Sequence, residues 1–286
     1  MTGLETAAPA IPRLTEVGRV TQARVALSEW TKLRSLRSTR WSLLVAVLLT
    51  IGLPMLFATI LSSHWGSIDP GERADHSRHR LDIALAGVNV SQLAIAVLGV
   101  LLITGEYSTG MIRASLTAVP RRLPVLWAKA AVYALVVFAL MLPSVLIAFF
   151  GSQAILRRHD ILQVSITHAG VLRAIVGSAV YLVLVGIFAL AIGAIVRSTA
   201  GGIATFAAIF FVIPPLLFVL PSSWHDAISP YLPSSAGADM FSLTFPLPGE
   251  HVSTNDLSPG WGFALFVGYC VLALSVAAVL LARRDA

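Results

Sequence analysis

Charge is scarce in this chain, and what there is avoids the apolar stretches. Only 12% of the 286 residues are Asp, Glu, Lys or Arg, against 57% hydrophobic. There are two lysines: Lys32 follows Thr31 and Lys129 follows Ala128. A Walker A loop needs Gly-Lys followed by Ser or Thr to cradle phosphates, so neither lysine supplies one and the chain has no nucleotide site of that kind. Its single cysteine, Cys270, excludes an internal disulfide and reads as a small buried apolar residue. No carboxylate, histidine or lysine cluster falls inside the apolar segments, which argues against a membrane-embedded enzyme. Cofactors and metals are not expected on this chain.

What the sequence does contain is six long apolar runs. A helix rises about 1.5 Å per residue and the hydrocarbon core is about 30 Å thick, so roughly 20 apolar residues make one span. Trp41 to Leu61, Ala84 to Thr104, Ala130 to Phe150, Val171 to Val196, Gly202 to Leu220 and Phe263 to Ala282 all qualify. Arg173 is the one Arg, Lys, Asp, Glu or His among them, near enough to a helix end to snorkel outward. The expected fold class is therefore an all-α membrane protein with six transmembrane helices.

Loop charge sets the expected orientation. Residues 1–40, 105–129, 197–201 and 283–286 fall on one side and hold fourteen of the twenty Lys plus Arg. Basic residues resist translocation, so this side is expected to be cytoplasmic, with both termini inside a plasma or inner membrane. The segment 221–259 has no Lys or Arg but carries Asp226, Asp239, Glu250 and Asp256, so it is expected outside. Trp41, Trp65, Trp127, Trp224 and Trp261 stand at or just beyond span ends, where an amphipathic indole prefers the headgroup layer. The formal charge of +6 is accounted for by topology; the expected partner is anionic lipid and not nucleic acid. The polar, basic first 40 residues do not resemble a signal peptide, and no cleavage is expected.

Several segments flank or interrupt the spans. Residues 1–13, rich in Ala and Pro, read as a tail. Residues 14–40 read as an amphipathic surface helix with Val20, Leu27 and Trp30 at near-helical spacing among Arg24, Lys32, Arg34, Arg37 and Arg40; residues 41–286 form the six-span domain. Between spans two and three, Ser108 or Thr109 can cap a short helix that ends before Pro120. Met111, Ile112 and Leu116 then make an apolar patch on a polar loop, suited to docking a partner protein or to lying on the membrane surface. Asp75, His76, His79 and Asp82 share the first external loop, but interleaved Arg73, Arg78 and Arg80 oppose cation binding and favour a solvated loop. Ser222, Ser223, His225 and Asp226 are adjacent in sequence, which does not make a catalytic triad. Inside span two, Asn89 and Gln92 either bond neighbouring helices or face a wet cavity. In span five, Phe206 and Phe210 form an apolar wall open to the same two readings, and Pro214-Pro215 predicts a kink.

From Ser28-Glu29-Trp30-Thr31-Lys32-Leu33-Arg34-Ser35 to Arg283-Arg284, the chain resembles the membrane subunits of type 2 ATP-binding-cassette (ABC) exporters, especially small six-span permeases. The loop after span two carries the resemblance, with Glu106, Gly110, the apolar run to Val119, Pro120, Arg121, Arg122 and Lys129; Met111 stands where a Thr is usual. The resemblance implies that the surface helix is a connecting helix. It also implies that Glu106, Gly110, Met111, Ile112, Leu116 and Pro120 belong to a coupling helix seated on a separate ABC ATPase subunit, which would bind ATP and Mg. A second permease copy, identical or paralogous, would complete the pathway. Asn89, Gln92, Phe206 and Phe210 would border that pathway, and the exported compound would be lipophilic or amphipathic. Its identity is not written in the residues, and a non-transporting membrane anchor or sensor is the alternative reading. Glu106 ends a helix, where the macrodipole disfavours an anion, so a basic partner such as Lys32 or Arg34 is expected.

Overall fold

The structure, a computed structural model, describes residues 22–108, 122–161, 163–245 and 257–283. All regular elements among them are helical. Helix α1 (Gln22–Ser35) leads to α2 (Arg37–His64), separated by Leu36 in extended conformation (φ −76°, ψ 123°). A short α3 (Pro70–Arg78) precedes α4 (Asp82–Ser108). Then come α5 (Arg122–Arg157), α6 (Val171–Val196) and α7 (Thr199–Ala207). Two short helices, α8 (Ser222–Ile228) and α9 (Pro233–Asp239), precede α10 (Pro259–Arg283).

Six segments are long and apolar enough to cross a bilayer: 37–67, 82–107, 125–157, 171–196, 199–219 and 259–283. Each contains or closely matches one expected span, and the main departures are at the ends. A span ends in hydropathy where a charge appears, whereas a helix ends where its backbone bonds end. So α5 begins at Arg122, eight residues before Ala130, and carries Lys129 inside it.

Helices α4 and α6 form the centre of the bundle. Their apolar stretches are 61% and 67% buried, against 22% for the first and fifth spans and 28% for the sixth, which therefore lie at the periphery. Close approach of the central pair rests on small residues, as expected where lipid tails supply no hydrophobic drive for association. A Cβ added at Gly99 would run into the carbonyl oxygen of Gly186 on the facing helix. At the α2–α4 crossing, a Cβ at Gly87 would lie 2.6 Å from the carbonyl oxygens of Leu49 and Thr50. Pro54, within α2, has no N–H to bond the Thr50 carbonyl four residues back, so the chain approaches α2 where its ladder is already open. Buried Tyr133 on α5 donates to the Ile95 carbonyl of α4 at 2.7 Å, tying the third span to the second.

The fifth span is irregular, as its prolines require. After α7 the chain makes a π turn (Ala208–Val212), one α turn (Ile213–Leu216) and a 3-10 turn (Leu217–Val219). Pro214 and Pro215 cannot donate to the carbonyls of Phe210 and Phe211, and the Ile213 N–H bonds instead to Ala208, five residues back. The segment after it folds back on the bundle. Ala236, Gly237 and Asp239 of α9 are buried, Tyr269 donates to the Tyr231 carbonyl at 2.6 Å, and Arg173 donates to the carbonyls of Met240 (3.3 Å) and Ser242 (3.1 Å). Arg173 thus has protein acceptors at its helix end.

Candidate functional site

Four ionisable side chains from three elements meet at the end of the bundle that carries α1. The stripe Val25, Glu29, Leu33, at four-residue spacing, is the buried side of α1, while Leu27 and Trp30 are exposed. Leu27 and Trp30, expected on one apolar face, are therefore turned away from the protein, where they are free to meet an interface; Val20 lies outside the described residues. Of the segment 14–40, residues 22–35 form this helix and 37–40 already belong to α2.

Glu29 enters the bundle at 3% exposure and meets Lys129 of α5, which is 1% exposed. The Lys129 ammonium donates to Glu29 Oε2 and, at 2.9 Å, to Glu106 Oε1 at the end of α4. Lys32, one turn along α1 from Glu29, donates to Glu29 Oε1 at 2.7 Å and to Glu106 Oε1 at 3.0 Å. Two cations and two anions thus alternate in a closed, electrically neutral ring. Neutrality is what permits burial, since one unpaired charge in such a place costs several kcal/mol. Burial disfavours the Lys32 ammonium, but the hydrogen bonds it donates to Glu29 and Glu106, together with their negative charges, outweigh it and raise its pKa above the ordinary 10.5. Any contribution of Lys32 to stability is therefore complete below that value and is lost only as pH rises through the higher folded one.

Glu106 is the one expected coupling residue within the described set, and Lys32 of α1 is one of its partners. Gly110, Met111, Ile112, Leu116 and Pro120 lie outside the described residues. Lys129 and Glu29 as a buried pair escaped sequence reasoning. Hydropathy places Lys129 in a loop because the apolar run begins at Ala130; the signals in the sequence are a lone lysine two residues after Trp127 and a glutamate in an otherwise basic helix.

The other expected site residues are not gathered in one place. Gln92 is buried, where its Oε1 accepts from the Tyr181 hydroxyl and its Nε2 donates to the Asn89 carbonyl at 2.8 Å. Asn89 itself is exposed. Phe206 and Phe210 stack at 4.4 Å, and Phe210 lies 5.9 Å from Phe188 of α6 and 6.1 Å from Phe266 of α10. Both rings are almost fully buried in helix contacts of this chain. Asp75, His76, His79 and Asp82 line a groove of about 620 Å³ with apolar residues of α2 and α4. His79 lies 3.4 Å from Asp82 and Asp75 lies 4.0 Å from Arg78; among the described residues no group of three or more His, Cys, Asp or Glu could hold a metal. His225 and Asp226 are in contact at 3.2 Å as chain neighbours, on α8.

No family model matches this chain, and no curated protein matches it. Its reading therefore rests on its own residues. Mechanically, the charged ring fastens the helix before the first span to the end of the second and the start of the third.

Proposed function

We propose that this chain is the membrane permease subunit of an ABC exporter, moving a lipophilic or amphipathic compound with ATP hydrolysed on a separate subunit. The observation that carries this reading is the ring of Glu29, Lys32, Glu106 and Lys129. Two of its members, Glu106 and Lys129, flank the loop that resembles a coupling helix; the other two lie on α1. A push on that loop would reach the first three spans together, because each charge is held by partners on another element. In this reading the α1 end faces the cytoplasm, both termini are inside a plasma membrane, and two copies or a paralogous pair form the pathway.

Coupling then depends on Met111, Ile112 and Leu116 entering a dry groove of the ATPase, with Gly110 and Pro120 bounding the helix. Placing Asp at Met111 and Leu116 would bury unpaired charge there at a cost of several kcal/mol. Purification of the intact chain from its native membrane in mild detergent should bring down a soluble ATPase subunit, and M111D/L116D should abolish that co-purification while leaving the permease folded. Purification of the wild-type chain without any nucleotide-hydrolysing partner, under conditions that preserve other membrane complexes, would refute the proposal.

A further inference from the structure

Three arginines near the α1–α2 junction take no part in the charged ring. Arg34, Arg37 and Arg40 are exposed, and among the described residues no carboxylate pairs with Arg37 or Arg40. These last two open a groove of about 430 Å³ whose lining, among the described residues, also includes Trp41 and Leu44. Positions 37, 40, 41 and 44 fall on one face of α2, since residues three, four and seven apart stack along a helix. From Arg40 to Leu44 the axis rises about 6 Å, so one groove passes from cationic to aromatic to aliphatic within the depth of a lipid headgroup region. Trp41 is 66% exposed and Leu44 45%, with Leu48, one turn further, 60% exposed. The aliphatic stripe thus continues into the span.

We infer that this groove binds one anionic phospholipid, its phosphate between Arg37 and Arg40, its glycerol region against Trp41 and its acyl chain along Leu44 and Leu48. Two guanidinium forks suit the oxygens of a phosphate better than two point charges would. An exposed tryptophan one residue beyond Arg40 marks the level where headgroup gives way to hydrocarbon. Free phosphate would use the arginines but leave the aromatic and aliphatic lining unused, so the lipid is the occupant that fits all four described lining residues. The site does not depend on the exporter reading and would be present in a protein that transported nothing.

Native mass spectrometry of the purified full chain, titrated with dioleoyl phosphatidylglycerol or dioleoyl phosphatidylcholine, tests the inference. One phosphatidylglycerol should be retained at lower concentration than phosphatidylcholine. Each arginine near an anionic headgroup contributes about a fivefold preference, so R37Q/R40Q should weaken phosphatidylglycerol roughly 25-fold and phosphatidylcholine, whose phosphate is offset by its own choline cation, by clearly less. R37K/R40K, which keeps the charge and removes the forks, should fall between wild type and the Gln variant. Equal retention of the two lipids, or unchanged phosphatidylglycerol binding in both variants, would overturn the assignment. Displacement of the lipid by millimolar glycerol phosphate would also overturn it, since the ligand would then be a soluble phosphate.

Discussion

Replacing Lys129 by Met keeps much of the side chain's volume and length but deletes an ammonium that is 1% exposed and bonded to two carboxylates. Glu29 loses its Oε2 partner, and Glu29 and Glu106 are left to share Lys32, so the ring changes from neutral to one excess negative charge. Removing one partner of a buried ion pair costs about 3–5 kcal/mol, most of it the penalty on the stranded charge. Lys32 is partly open to solvent, with 24% of its side chain exposed, and relieves some of that penalty. The lower part of the range, about 3 kcal/mol, is the expected loss. A second change, Glu29→Gln in the same chain, restores neutrality with Lys32 facing Glu106. The K129M/E29Q double variant should therefore be more stable than K129M alone, by about 1–2 kcal/mol, within the range of coupling energies for neighbours in one network. Reversible denaturant unfolding of the purified protein in detergent, with both single variants and the double, measures this cycle. A K129M variant within about 0.5 kcal/mol of wild type, or a double variant whose loss is the sum of the singles, would refute the view that the four charges act as one unit.

Three further outcomes follow from the packing and the charge distribution. Gly99→Val places a branched Cβ where the backbone of Gly186 cannot retreat, so it should destabilise by at least about 1–3 kcal/mol, whereas Gly52→Ala, with nothing within 4 Å of its new Cβ, should be neutral or stabilising in the same denaturant unfolding assay. Tyr181→Phe removes the donor to Gln92 Oε1 and should cost about 1 kcal/mol, without the larger loss expected of Tyr181→Ala, which would also remove ring contacts to Phe241 and Phe266 at 5.2 and 5.7 Å. Single cysteines at Ser115 and Ser253, in a chain with Cys270→Ala, should react with an impermeant maleimide from opposite sides of the membrane, Ser115 only after permeabilisation; equal labelling in intact cells would refute the orientation.

The six helices were legible because hydrophobicity over about 20 residues is a one-dimensional signal, set by the thickness of the solvent they cross. Pro214 and Pro215 announced an irregular fifth span for the same kind of local reason, a missing N–H. The charged ring was legible in part. Glu106 at a helix C-terminus demanded a cation, and Lys32 on α1 supplied one. Lys129 and Glu29 could not be found that way, because hydropathy treats a lysine as the edge of a span and cannot see that its charge is cancelled by residues 100 and 23 positions away. Phe206, Phe210 and Gln92 illustrate the converse difficulty. Polar and aromatic residues inside a span look alike in sequence whether they line a cavity or bond a neighbour, and only the third dimension places Gln92 against Tyr181 and Phe210 against Phe266.

Why a protein with only two lysines commits both to one buried ring follows from what that ring connects. Hydrophobic contacts between helices tolerate sliding, since one methyl group replaces another at little cost. Charge pairs in a dry setting do not: moving α1 relative to α4 and α5 by the length of a hydrogen bond would strand Glu29 from Lys129 and Lys32 from Glu106 together. The three elements must therefore move as one body or exchange to a second arrangement in which every charge again has a partner. In the proposed exporter, that is the property a joint between an ATPase-driven loop and the spans requires. A looser apolar joint would dissipate the displacement before it reached the first span. The arrangement predicts that Glu106→Gln, which keeps the shape but halves the negative charge of the ring, leaves ATP hydrolysis by the assembled complex in place and uncouples it from export in reconstituted vesicles. Export at the wild-type rate by that variant would show that the ring only holds the fold together.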